Sequence, residues 1–246
     1  MAKIALITGG TSGIGLQTAV ELGTQGYEVV INGLSDEGAK KALEMLEDLG
    51  IKAEFFKADV TDEKSVNEMI QFISDKYNKL DVLVNCAGGL GGRSRFEEMS
   101  TQFYRKVMAL NLDSVFFVSR AAIPLLKQGE NASIINLTSI AAYNAGGPGA
   151  GIYGTSKAGV LTLTRALAKD LAEYGIRVNA VSPGTIDTPF HSNTNREVME
   201  SWKQNILMKR FGNPSEVATV IGFLTSEKAS YLTGEVIQVN GGQAFI

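Results

Sequence analysis

Cysteine and histidine are almost absent: Cys86 and His191 are the sole examples of each in 246 residues. One thiol cannot form an internal disulfide, and it rules out a metal site built from several cysteines. His191 stands far in sequence from any residues that could complete a metal cluster, so no metal is expected. A lone histidine in a polar loop is ordinarily solvated, with substrate contact as its alternative use. Blocks of like charge are missing too. Lysine and arginine number 23 against 26 aspartates and glutamates, a net charge of −3, without the runs that mark a nucleic-acid or membrane surface. The chain opens straight into a strand-like run, with no charged stretch and apolar signal core, so the expected location is the cytoplasm. Linkers, repeats and low-complexity tracts are also lacking. This favours one domain over residues 1–246, and 44% hydrophobic content is ample for its core.

What is present is an alternation. Strand-like runs at Lys3–Thr8, Glu28–Asn32, Ala53–Ala58, Leu80–Asn85, Ser133–Thr138, Arg177–Ser182 and Glu235–Val239 are separated, for the most part, by helical patterns. Near-continuous apolar runs such as Val82-Leu83-Val84 and Ile134-Ile135 fit parallel strands covered on both faces. With right-handed crossovers they predict an α/β fold: a doubly wound parallel sheet of about seven strands with helices on both sides. A polar irregular stretch from about Pro183 to Glu197 follows the sixth strand, at the end where ligands of open α/β sheets bind. It reads as the start of a substrate lid over about residues 183–210.

Two motifs carry chemistry. Tyr153 and Lys157, four residues apart, share one helix face. A phenol with an ordinary pKa near ~10 is a poor acid or base at neutral pH, and a fixed positive charge nearby favours the phenolate. At the start of the chain, the first strand runs into Thr8-Gly9-Gly10-Thr11-Ser12-Gly13-Ile14-Gly15 and then a helical pattern. There Gly9, Gly13 and Gly15 let backbone N–H groups approach a pyrophosphate at a helix N-terminus.

Taken in order, Thr8-Gly9-x-x-x-Gly13-x-Gly15, Asn85-x-Ala87-Gly88, Asn111, Ser139, Tyr153-x-x-x-Lys157 and Pro183-Gly184 resemble the short-chain dehydrogenase/reductases over the whole chain. The resemblance implies a single-domain Rossmann-type fold, usually a homotetramer, that moves a hydride between a nicotinamide and a carbonyl or alcohol carbon of a small molecule. It implies Tyr153 as general acid/base and Lys157 as the group that lowers its pKa and holds the nicotinamide ribose. Ser139 is then the hydrogen-bond partner of the reacting oxygen, and Asn111 the residue that sustains a water path to bulk. For the dinucleotide it implies Gly9, Thr11, Ser12, Gly13, Ile14 and Gly15 at the turn; Asn32, Gly33, Leu34 and Ser35 at the second strand's end; and Asp59 and Val60 at the adenine. Asn85, Ala87 and Gly88 follow the fourth strand, and Pro183, Gly184, Ile186 and Thr188 follow the sixth.

Departures from the family pattern bear on specificity. Ser139 precedes Tyr153 by fourteen residues, one more than usual, and the extra residue falls in Asn144-Ala145-Gly146-Gly147-Pro148-Gly149-Ala150. This loop, with Thr188-Pro189-Phe190-His191, is similar to reductases of uronate-derived keto sugars, which makes Arg93, Ala145, Gly146 and His191 candidate substrate contacts. Arg93, Arg95 or Lys203 could meet a carboxylate. Cys86 stands where the family often has a second asparagine and reads as a small buried thiol. At the second strand's end, Gly33 and Leu34 offer neither an acid for a ribose diol nor a base for a 2′-phosphate. That favours NAD(H) and leaves NADP(H) open, with Ser35 or Lys40 as contacts. Reduction of a 3-oxoacyl thioester on a carrier protein is the alternative activity. A dinucleotide-binding protein without turnover is the remote one.

Overall fold

The computed structural model describes residues 2–189 and 196–246, with only the backbone of Arg196. Seven strands form one parallel sheet: β1 (Lys3–Thr8), β2 (Tyr27–Gly33), β3 (Ala53–Lys57), β4 (Val82–Asn85), β5 (Ser133–Leu137), β6 (Arg177–Pro183) and β7 (Val236–Val239). Their order is β3-β2-β1-β4-β5-β6-β7, so the direction of winding reverses between β1 and β4. The α/β expectation is met, and each strand boundary lies within two residues of the sequence reading.

Strand residues alternate between two cores. Ile4, Leu6, Leu83, Ile134 and Val178 face one layer, where α3 (Glu63–Tyr77), α5 (Ser114–Leu126) and α7 (Gly151–Leu171) contribute Met69, Ile73, Val118, Ala122 and Leu171. Ala5, Ile7, Val82, Val84 and Ile135 face the other. There α1 (Gly13–Thr24), α2 (Asp36–Asp48) and α9 (Pro214–Thr225) bring Leu22, Leu46, Val217 and Ile221. Each fully buried aliphatic side chain contributes roughly 1.5–3 kcal/mol, which is why both faces of a parallel sheet must be covered.

Four helix starts are closed by side chains. Ser35 accepts from the Gly38 N–H at 3.0 Å, Asp62 from Ser65 at 3.1 Å, and Ser100 from Phe103 at 3.1 Å, the last opening α4 (Thr101–Met108). Asn213 and Glu216 form a capping box at α9. The start of α1 is not closed in this way: Ser12 is extended and makes no side-chain cap bond. Helix α4 continues through a π-turn at Ala109–Asp113 into α5. The combined stretch Thr101–Leu126 is long and apolar enough to cross a bilayer, yet Val107, Val115, Val118, Ala122 and Leu126 lie buried in the fold. The short α6 (Ala141–Asn144) and α8 (Arg196–Gln204) flank the open end of the sheet. Of the proposed lid, residues 190–195 lie outside the described residues; beside them, Ile186 pairs with Gly212 in an isolated parallel bridge.

Candidate active site

A cleft of about 810 Å³ opens at the C-terminal ends of the strands, where the winding reverses. Its floor is the β1–α1 turn. Gly9 takes φ +64°, and a side chain there would strike the Ala87 backbone at 2.9 Å; one on Gly15 would meet the Gly9 carbonyl oxygen at 2.2 Å. Glycine therefore keeps backbone at the cleft surface, and the first-turn N–H groups of α1, lacking a side-chain cap, face the cleft with their dipole. A cradle of bare backbone donors fits the pyrophosphate of a dinucleotide.

On the adjoining wall, α7 carries Tyr153 and Lys157, and the residue two beyond β5 is Ser139. Lys157 is 4% exposed, donates from Nζ to the Leu137 carbonyl at 2.8 Å and sits 5.9 Å from the centre of the Tyr153 ring. Burial pushes the Lys157 ammonium down to about 8, against a small opposing pull from Cys86. Burial also pushes the Tyr153 phenol up to about 12, while a hydrogen bond with Ser139 pulls it down. The lowering influence on the phenol comes from the Ser139 hydrogen bond, and burial exceeds it; the expected effect of Lys157 on Tyr153 is not seen in this structure. The result is a tyrosine that keeps its proton at neutral pH beside a lysine still largely protonated there.

Asn111 does not line the cleft. It is fully buried in the π-turn, where its Nδ2 donates to the Gly89 and Val107 carbonyls at 2.8 and 2.9 Å and its Oδ1 accepts from the Gly89 N–H at 2.9 Å. A side chain on Gly88 would lie 2.9 Å from that Oδ1 and 3.2 Å from Lys157 Nζ, so Asn111 holds the turn after β4 tightly over the lysine. π-Turns of this kind re-aim a side chain that a regular helix would misplace.

The remaining candidates divide. Thr11, Ser12, Gly13, Ile14, Asn32, Gly33, Leu34, Ser35, Asp59, Val60, Ala87, Gly88, Pro183, Gly184, Ile186 and Thr188 line the cleft, as do Arg93 and Gly146. Asn32 is largely committed inward, its Nδ2 bonding the Phe56 and Ala58 carbonyls. Asn85 lies behind the wall, its amide donating to Ser119 and Asn136 within the core. Ala145, Lys40, Arg95 and Lys203 are not among the lining residues; Lys203 pairs with Glu200 and Lys40 with Glu44. His191 lies outside the described residues. Cys86 lines the cleft, and burial raises its thiol to about 12, which keeps it protonated at neutral pH. Sequence reading missed Trp202 on α8, and Gln243, whose Oε1 accepts from the Thr185 N–H at 2.8 Å. Contact across fifty-eight residues leaves no local signal.

A family model described as enoyl-(acyl carrier protein) reductase matches residues 9–244. A 3-oxoacyl-[acyl-carrier-protein] reductase from Thermotoga maritima is 38% identical over 240 residues, 98% of this chain and 97% of that protein. One from Staphylococcus aureus is 37% identical over 243 residues, covering 98% of each. Among solved structures, a short-chain dehydrogenase/reductase of glucose/ribitol dehydrogenase type from Brucella melitensis has a TM-score of 0.91 at 35% identity, covering 99% of this chain and 97% of that one. An actinorhodin polyketide ketoreductase solved with NADPH also has a TM-score of 0.91, at 31% identity, covering 98% and 97%. Agreement of this extent, in sequence and in fold over nearly every residue, makes the chain a member of the short-chain dehydrogenase/reductase family of NAD(P)-dependent oxidoreductases.

Proposed function

We propose that the protein is an NAD(P)H-dependent ketone reductase acting on a short oxo-acid derivative. The observation that supports this reading is that Ser139, Tyr153 and Lys157 share the wall of the one cleft that begins at the uncapped start of α1. Gly9, Gly13 and Gly15 would hold the pyrophosphate, Asp59 and Val60 the adenine, and Lys157 the nicotinamide ribose. A bound nicotinamide would supply the hydride. Ser139 and Tyr153 donate hydrogen bonds to the carbonyl oxygen, where negative charge develops. Tyr153, kept neutral by burial, passes its proton to that oxygen; Ser139 favours the phenolate left behind, and the Lys157 ammonium, 5.9 Å from the ring centre, is placed to resupply the proton. Asn111 holds the Gly88–Gly89 turn over Lys157, where a replacement proton would enter from bulk water.

The relatives favour a 3-oxoacyl thioester as substrate, since several reductases so named are 36–38% identical over 98% of this chain. A polar keto sugar acid is the second reading, supported by Arg93 on the cleft wall. For the cofactor, the NADPH-bound ketoreductase neighbour favours NADPH. The lip formed by Gly33, Leu34 and Ser35 carries no basic side chain and favours NADH. The test is a screen of 3-oxoacyl thioesters, simple oxo acids and keto sugar acids, following NADH and NADPH oxidation separately. Thioester turnover far above the others supports the first substrate. No oxidation with any ketone would favour a dinucleotide-binding protein without turnover.

A further inference from the structure

Besides Lys157, one cationic side chain lines the cleft among the described residues: Arg93. Its position is set from two sides. Gly91 and Gly92, at φ +71° and +123°, carry the chain outward from β4 in conformations closed to most residues. Opposite, the Ser94 N–H bonds the Gly149 carbonyl at 3.0 Å, and Arg93 Nη1 donates to the Pro148 carbonyl at 3.0 Å. Gly147 and Gly149 are open enough to admit it: a side chain on Gly149 would press on Arg93 Cβ at 3.1 Å, and one on Gly147 would approach Nη1 to 3.6 Å.

The guanidinium thus has one donor fixed to backbone and the rest of its fork still to satisfy. Elsewhere on the surface, Arg210 forms a two-pronged pair with Glu216 and Lys203 pairs with Glu200. Among the described residues, no acidic side chain is paired with Arg93. Asp59, an acid that lines the cleft, is occupied by the Thr61 N–H and hydroxyl.

We infer that Arg93 is a specificity-determining residue that receives the carboxylate of a small oxo acid, the ketone lying towards Ser139 and Tyr153. Fork-shaped recognition of a carboxylate is the chemistry for which arginine is suited. The inference rests on the ketone-reductase reading and takes the second of its two substrates: it selects a free oxo acid over the uncharged thioester group that the relatives' names favour.

The test compares 2-oxogluconate with its methyl ester, and with acetoacetyl-N-acetylcysteamine as a neutral thioester. Trp202, the only tryptophan, lines the same cleft, so its fluorescence reports binding without turnover. The wild type is expected to bind the acid about 10- to 100-fold more tightly than the ester, in fluorescence titration and in KM. Arg93→Gln, which keeps a donor for Pro148, should bring that ratio to about one. Arg93→Lys should retain part of it. Equal affinity for acid and ester in the wild type, or a ratio that Arg93→Gln leaves standing, overturns the inference. Should the wild type oxidise neither NADH nor NADPH with any ketone, the reductase reading falls, and the titration still decides the role of Arg93.

Discussion

Burial at the Tyr153–Lys157 pair sets two opposite expectations. Tyr153→Phe keeps the ring and removes the proton donor, so turnover should fall ~10²–10⁴-fold while the dinucleotide dissociation constant holds. Near-normal turnover in a steady-state assay would remove the tyrosine from the mechanism. Lys157 carries a cost. Its folded pKa of about 8 lies below the ordinary 10.5, so the unfolded chain binds the proton more readily between those values. Charge burial therefore costs stability in full below about pH 8, and the cost disappears as pH rises to about 10.5. Lys157→Met should abolish turnover yet raise stability at pH 7 by about 1–2 kcal/mol, after the lost bond to Leu137 is subtracted. Denaturant titrations at pH 7 and pH 10 should show the gain shrinking, and a gain that grew with pH would contradict the assignment. Residue identities at the site were legible because the motif residues are close in sequence to glycine or to one another. The direction of the Tyr153 shift was not, because it depends on how deeply α7 sits against the sheet.

Strands were the most legible elements, since a strand buried on both faces is mostly apolar, as β4 and β5 are apart from Asn85, Ser133 and Asn136. The π-turn at Ala109–Asp113 was invisible, because a one-residue change of hydrogen-bond register alters no composition. The short α6 was equally hidden, as it ends in a left-handed alanine, Ala145 at φ +61°, where no sequence rule expects one. We propose that cofactor choice is made at the β2–α2 connection. Leu34 is 63% exposed at its lip, and the first turn of α2 brings Asp36 and Glu37 close by. Leu34→Arg should lower the KM for NADPH ~10-fold or more, as expected of a new charge-assisted hydrogen bond of ~1.5–3 kcal/mol, and should change NADH little. Both cofactors would be assayed at one salt concentration, since exposed charges are screened. An unmoved preference would relocate the selector elsewhere in the cleft.

Across the whole molecule, exposed apolar groups gather beyond β7. Phe245 and Ile246 are 85% and 61% exposed, and Leu207 and Met208 lie against the glycines Gly241 and Gly242 of the same terminal segment. We propose that another subunit covers this patch, in the tetramer that the family resemblance implies. Light scattering should give about four times the chain mass of 26.3 kDa, and removal of Phe245 and Ile246 should shift the distribution to smaller species. A monomer at working concentration in the intact chain would refute the assembly. No sequence pattern shows which copy covers which surface, because complementarity is a property of two folded faces.

The bare start of α1 reaches beyond binding. Its first intrahelical bond runs from Leu16 to Ser12, so the amides before it have only water or a ligand to satisfy them. Helix α1 also packs against α9, so fraying at its tip is passed to the layer behind it. A ligand at a hundred times its dissociation constant adds about 2.7 kcal/mol to the folded state. Amide hydrogen exchange at Gly13, Ile14 and Gly15 should therefore slow, and the melting temperature rise, in step with dinucleotide concentration. Through this uncapped turn, a bound dinucleotide would lengthen the time each molecule resists proteolysis, as well as enable its turnover.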